Sequence, residues 1–241
     1  MVFWSSRRGT RPELPRLRPR VAPTEVTKVD FTELVPEPVP FLGQAAYIQL
    51  EFFESLAKAV IGAPAMGSKE GLSAAAGIAL RRHHELIAEL RHLGVEPEAV
   101  MVPFAPATDR LGESTAGADW HELLLGVHVT SGMLDDYFAR LADGLPAVLG
   151  ARVRGILSHE AGGIGGVLDA ELRAAIEAEP GLADRLALWG RSIVGDTLLI
   201  ARSALRASDS EGRTADDRVE PVFTELIAEH TRRMDALGLT A

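Results

Sequence analysis

With no cysteine in the chain, thiolate nucleophiles, thiolate zinc sites, iron–sulfur clusters and disulfides are excluded, and a metal site would have to be built from carboxylates and histidines. In a helical bundle such residues can hold two metal ions, when two helices each give a carboxylate and two others each give Glu-x-x-His. The i, i+3 spacing then sets acid and imidazole on one helix face. The one literal match is Glu89-Leu90-Arg91-His92. It is out of phase with the surrounding apolar stripe and lies in the last turn of its helix, so it reads as solvated surface. His83 is in phase with Leu80 and Ile87 and should point inward. Leu80, one turn earlier, cannot coordinate a cation, and a lone core histidine is usually hydrogen-bonded to a carbonyl or carboxylate.

The other inward polar positions are equally poor in ligands. On the first helix Gln49 faces inward, while Glu51 and Glu54 fall on the polar face, where Glu54 can pair with Lys58. On the third helix Ser131 is inward, with Asp135 and Asp136 near the edge of the stripe. Adjacent helical residues point about 100° apart, which argues against a shared-proton dyad. Asp196 and His230 each sit inside an apolar stripe, and a buried Asp needs a partner. His83, His230, Arg191 and Arg202 are the candidates. Gln49, His83, Asp196 and His230 therefore read as a buried, structural polar cluster. No phosphate loop, dinucleotide glycine pattern or Gly-x-Ser-x-Gly elbow is present, and no strand precedes the glycines at 162–166.

Helices must position all of these residues. The apolar spacing predicts a first helix over 43–61 with Ala46, Gln49, Leu50, Phe53, Leu56, Ala57 and Val60 in phase, stopped by Gly62-Ala63-Pro64. A second runs from Ser68 to Leu93, ahead of Gly94. Residues 95–118 carry Pro97, Pro103 and Pro106 with little period, and read as a long crossover. The third helix covers 119–142 with Asp119 as its cap. A fourth, from 147 to 178, should break at the glycines of 162–166, because each interior Gly costs about 1 kcal/mol against Ala. A long helix after Pro180 carries Leu186, Trp189, Ile193, Asp196 and Ile200, and a last one carries Phe223, Leu226, His230, Met234 and Leu237. The expected fold is all-α, a bundle over residues 41–241 behind an extended Arg- and Pro-rich tail at 1–40.

Composition supports this. The chain has 241 residues, 46% hydrophobic, 24% charged and only 5% aromatic, which suits one helical domain with a sizeable core. No apolar run approaches the ~20 residues of a membrane span, and the N-terminus lacks the apolar stretch of a signal peptide, so a cytoplasmic address is expected. A net charge of −9 argues against a broad nucleic-acid surface. The exception is the tail, whose six arginines between Arg7 and Arg20 could make a weak RNA contact but read first as a solvated arm.

From Tyr47 through Leu239 the chain resembles the actinobacterial ferritin-like proteins similar to the tRNA 2-methylthio-N6-isopentenyladenosine hydroxylase. The resemblance rests on Ala46-Tyr47, Ala63-Pro64, Pro103-Phe104-Ala105-Pro106, Asp119-Trp120, Leu186-Ala187-Leu188-Trp189-Gly190-Arg191 and His230-Thr231-Arg232-Arg233-Met234. It implies a ferritin-like bundle with additional C-terminal helices. Members of this family that look metal-competent carry Glu two residues after the Ala-Tyr, Glu-x-x-His in the second helix, acids in the third and acid-x-x-His in the fourth. Here those positions read Gln49, Leu80 with His83, Ser131 with Asp136 further on, and Glu160 followed by Gly163. Such a set is too poor in carboxylate to balance two divalent ions.

The resulting expectation is a non-catalytic binding or scaffold protein with no cofactor and an unknown protein partner, self-associating, as a dimer, along an apolar helix face. The alternative is a di-iron monooxygenase acting on a modified tRNA nucleoside or small molecule. Two iron ions would then be held by Glu51 or Glu54 with His83, Asp136, Glu160 and Asp196 rearranged as ligands, which requires Glu51 or Glu54 to turn inward.

Overall fold

The computed structural model describes residues 36–158, 163–206 and 214–240. In chain order these form α1 (Pro38–Gly62), α2 (Met66–His92), α3 (Pro97–Met101), α4 (Ala105–Thr115), α5 (Trp120–Leu141), α6 (Ala147–Leu157), α7 (Ile164–Ala178), α8 (Leu182–Arg206) and α9 (Thr214–Ala236). Among the described residues there is no strand, as the sequence predicts. The basic stretch Arg7–Arg20 and Glu160 lie outside the described residues.

α5 is the axis of the assembly, in contact with α1, α4, α6, α7, α8 and α9, while α1 packs most extensively on α2. Residues 124–135 of α5 are buried without interruption, the mark of a helix enclosed on all sides. α1, α2, α5 and the broken pair α6–α7 make the bundle, since α6 and α7 each pack on both α2 and α5. α6 ends at Leu157 and α7 begins at Ile164, so Gly165 and Gly166, expected to lie in the break, are inside α7, and residues 159–162 lie outside the described residues. α8 and α9 pack on α5 and on each other, and α8 also packs on α4.

Asp119 caps α5 as expected, its carboxylate accepting from the Glu122 backbone N–H at 2.9 Å. Gly94, at φ 74°, follows α2, and the Val95 N–H closes back on the Leu90 carbonyl at 3.1 Å, so the left-handed turn ends the helix where the glycine indicates.

Three expectations are corrected. The segment 95–118 is helical over most of its length, because Pro97, Val102-Pro103 and Ala105-Pro106 stand at the first positions of helical turns. There a missing N–H costs nothing and the fixed φ suits the helix. For the same reason α1 begins at Pro38, inside what the proline count marks as tail. Finally, the buried stripe of α1 is rotated from the expected one. Ile48, Phe52, Ser55 and Ala59 are buried, whereas Leu50, Phe53, Ala57 and Val60 are half-buried, because α1 is covered by α3 and α4 as well as by α2 and α5. No helix of the described residues is long and apolar enough to cross a membrane.

Candidate functional site

The centre of the bundle, where α1, α2 and α5 meet the end of α6, holds a buried polar cluster. Asp135 of α5 lies at its middle, 4% exposed. One of its oxygens accepts from Gln49 Nε2 of α1 at 2.6 Å and the other from Arg82 Nη1 of α2 at 2.8 Å. Arg82, 5% exposed, donates again from Nη2 to the Ser158 carbonyl just beyond α6, at 2.8 Å. The guanidinium thus ties α2 to α5 and to the helix break, and Gln49 ties α1 to the same carboxylate. Its own amide oxygen is buried without a protein partner.

His83, beside Arg82, faces inward as predicted, but its Nδ1 is 2.8 Å from the Ala46 carbonyl of α1. Burial pushes its pKa down. The imidazole is neutral near pH 7, and its Nδ1–H donates to Ala46. This is the structural use that a lone core histidine predicts.

The cluster expected from the sequence is not the one the fold assembles. Gln49 and His83 belong to the bundle centre, but Asp196 is exposed and His230 is buried elsewhere, on α9. Asp196 fails because the inward register of α8 runs through Ile193, Thr197 and Ile200, all buried. It lines a groove of about 400 Å³ between α4 and α8 with Arg110, Leu111, Ser114 and Leu199.

The described members of the alternative ligand set are likewise not brought together. Glu54 is exposed. Glu51 is half-buried on the seam with α4, away from Asp135, where its carboxylate accepts from Ser55 Oγ at 3.0 Å and burial raises its pKa. The carboxylate fills the space beside Gly112, where a Cβ would come within 2.1 Å of it. On the same seam Tyr47 donates to Asp109 at 2.8 Å, and burial and that carboxylate push the phenol up to about 12. Asp136 turns from Asp135, as 100° of helical rotation demands, and pairs with Arg233 of α9. Among the described residues no group of three or more histidines and carboxylates could hold a metal ion. The bundle centre offers an amide, a guanidinium already on its carboxylate and an imidazole committed to a carbonyl, so these residues do not fit a pair of divalent ions.

Arg82 and Asp135 stand at core spacing, although neither is in the buried cluster expected from the sequence. Arg82 lies three after Ala79 and four before Leu86, both buried, and Asp135 lies four after Ser131 and three before Phe138, also buried. Glu89, taken for solvated surface, is 6% exposed and receives two hydrogen bonds from Arg152 of α6, at 2.8 and 2.7 Å; His92 of the same motif is exposed. His128, four after Leu124, is 4% exposed. Neither of its ring nitrogens has a hydrogen-bond partner, and Asp169 Oδ1 of α7 stands 3.5 Å away. Burial, with Arg233, His230 and Arg173 adding to it, holds its pKa down at about 4. His230 is held below its ordinary value by burial and Arg233.

The bundle centre can therefore carry structure through its hydrogen bonds and the buried Arg82–Asp135 pair. In comparison with known proteins, the family description of a ferritin-like domain of actinomycetes matches residues 35–212. No curated protein matches the chain.

Proposed function

We propose, because the chain belongs to the ferritin-like domain family of actinomycetes, that it is a non-catalytic member which works as a binding or scaffold protein. In this reading it is a relative of the tRNA hydroxylases in which the positions of the di-iron ligands have been given over to structure. The observation that supports it is the Arg82–Asp135 pair in the bundle centre, 2.8 Å long and sealed from solvent. A di-metal centre needs an excess of carboxylate charge to balance its cations. Here Asp135, the central carboxylate among the described residues, already carries a permanent cation, since a guanidinium does not deprotonate in proteins. Gln49 adds an amide that donates to Asp135, which uses the acceptor capacity a metal would require.

The test is iron analysis of the full chain, expressed with iron supplementation and purified without chelator. The expected content is well below one iron per chain. One or more tightly held irons per chain would overturn the reading.

A further inference from the structure

One face of α8 stays exposed in the fold just described, although Leu199 at its end and Asp196 on its flank also line the groove with α4. Leu188 and Leu199 are 66% and 63% exposed, and Ser192 and Gly195 between them are exposed too. The four recur at spacings of four, three and four residues, a straight seam along the helix directly opposite the buried Leu186, Gly190, Ile193, Thr197 and Ala201. A Cβ built on Gly195 would meet nothing within 4 Å, so the middle of the seam is open and low. Arg191 flanks it on one side and Asp196 on the other, both exposed.

We propose that this seam is a self-association surface whose occupant is α8 of a second copy, lying parallel and in register about a two-fold axis. Charge complementarity selects both the occupant and the direction. In parallel pairing, the residue before one seam position faces the residue five further along on the other helix. That brings Arg191 against Asp196 of the second copy, and the symmetry repeats the pair. Antiparallel pairing sets like flank against like and makes neither contact. Leu188 and Leu199 would each meet their own counterparts, while Ser192 and Gly195 let the two backbones approach. This deepens the scaffold reading by naming a second copy as partner. It rests on that reading only for its purpose, because iron content tests the bundle centre and leaves this surface untouched.

The chain contains no cysteine, so single introduced thiols report the pairing without background. Leu188→Cys and Leu199→Cys are made separately in the full chain and oxidised with copper phenanthroline, alongside sedimentation of the unaltered chain. The expected result is a dimer by sedimentation, with each variant alone forming an intermolecular disulfide. In antiparallel pairing the two positions lie about 16 Å from their own counterparts, at 1.5 Å per residue, and disulfides would form only between the two variants when mixed. That outcome overturns the parallel arrangement. A monomeric unaltered chain overturns the proposal, including the case in which another segment of the same chain covers the seam. Arg191→Asp should weaken association about tenfold, and Arg191→Asp with Asp196→Arg should restore it, since two reciprocal pairs are reversed and then rebuilt. A dimer indifferent to both substitutions would also refute the pairing.

Discussion

Replacing Arg82 with Met keeps the length and apolar stem of the side chain and removes its charge. Asp135 then remains 4% exposed and keeps its bond from Gln49 at 2.6 Å but loses the guanidinium, and the Ser158 carbonyl loses the donor that meets it at 2.8 Å. Breaking a buried ion pair on one side costs about 3–5 kcal/mol, most of it the penalty of an uncompensated charge. Replacing both members with apolar groups of similar volume is close to neutral. Arg82→Met should therefore lose about 3–5 kcal/mol, and Arg82→Met with Asp135→Leu should lose much less than the sum of the two single changes. Urea unfolding followed by circular dichroism measures all four corners of the cycle. The single variant should also recover stability relative to the parent as pH falls toward the carboxylate range. A buried carboxylate without its cation has its folded pKa above the unfolded value, and protonation then favours the folded state. A loss below about 1 kcal/mol in Arg82→Met, or strict additivity in the cycle, would refute the assignment of Arg82 as the counter-charge of the bundle centre.

Gln49→Glu places a second carboxylate where an amide now donates to Asp135, so one of the two must take up a proton. The variant should be less stable by at least about 2 kcal/mol at pH 7 and approach the parent in acid, whereas Gln49→Met should cost about 1 kcal/mol at every pH, as unfolding between pH 4 and 8 will show. His128 has its folded pKa at about 4 against about 6.5 unfolded. Its neutral form is the folded one, and stability falls as pH drops from 6.5 to 4 by about 3 kcal/mol in total. His128→Leu should flatten that window without loss at pH 7, and an unchanged pH profile in this variant would show that the acid sensitivity comes from elsewhere.

The helices were legible because their signals are local. Asp119 and Gly94 mark ends, each through backbone chemistry that does not depend on the rest of the fold, whereas Gly165 and Gly166, read as a break, are carried inside α7. The prolines of 97–106 misled because a proline reads the same whether it stops one helix or starts the next. Arg82 and Asp135 were harder, since a charged residue on a helix is ordinarily solvated. Their place in the buried register carries weight only once both are seen to point at the same space, and that is a tertiary fact. Asp196 shows the converse. With Leu188 and Leu199 on one side of α8 and Leu186 and Ile193 on the other, apolar residues lie all round the helix and the phase of its buried face is ambiguous, so an exposed carboxylate falls by spacing into an inward position.

Asp135, Gln49 and Arg82 together also account for why the bundle centre stays polar at all. An apolar replacement would pack as well, and a lone carboxylate there would be expelled by its desolvation cost. The cluster persists as a unit because each member answers another: Arg82 neutralises Asp135, Gln49 occupies its second oxygen, and the Ser158 carbonyl just beyond α6 takes a second guanidinium donor. Four parts of the chain are fixed to one another by directional bonds that apolar packing could satisfy in several registers. That is the use of buried polar groups best attested in helical assemblies, specificity of arrangement at some expense of stability. In this fold it also gives the bundle centre a structural part.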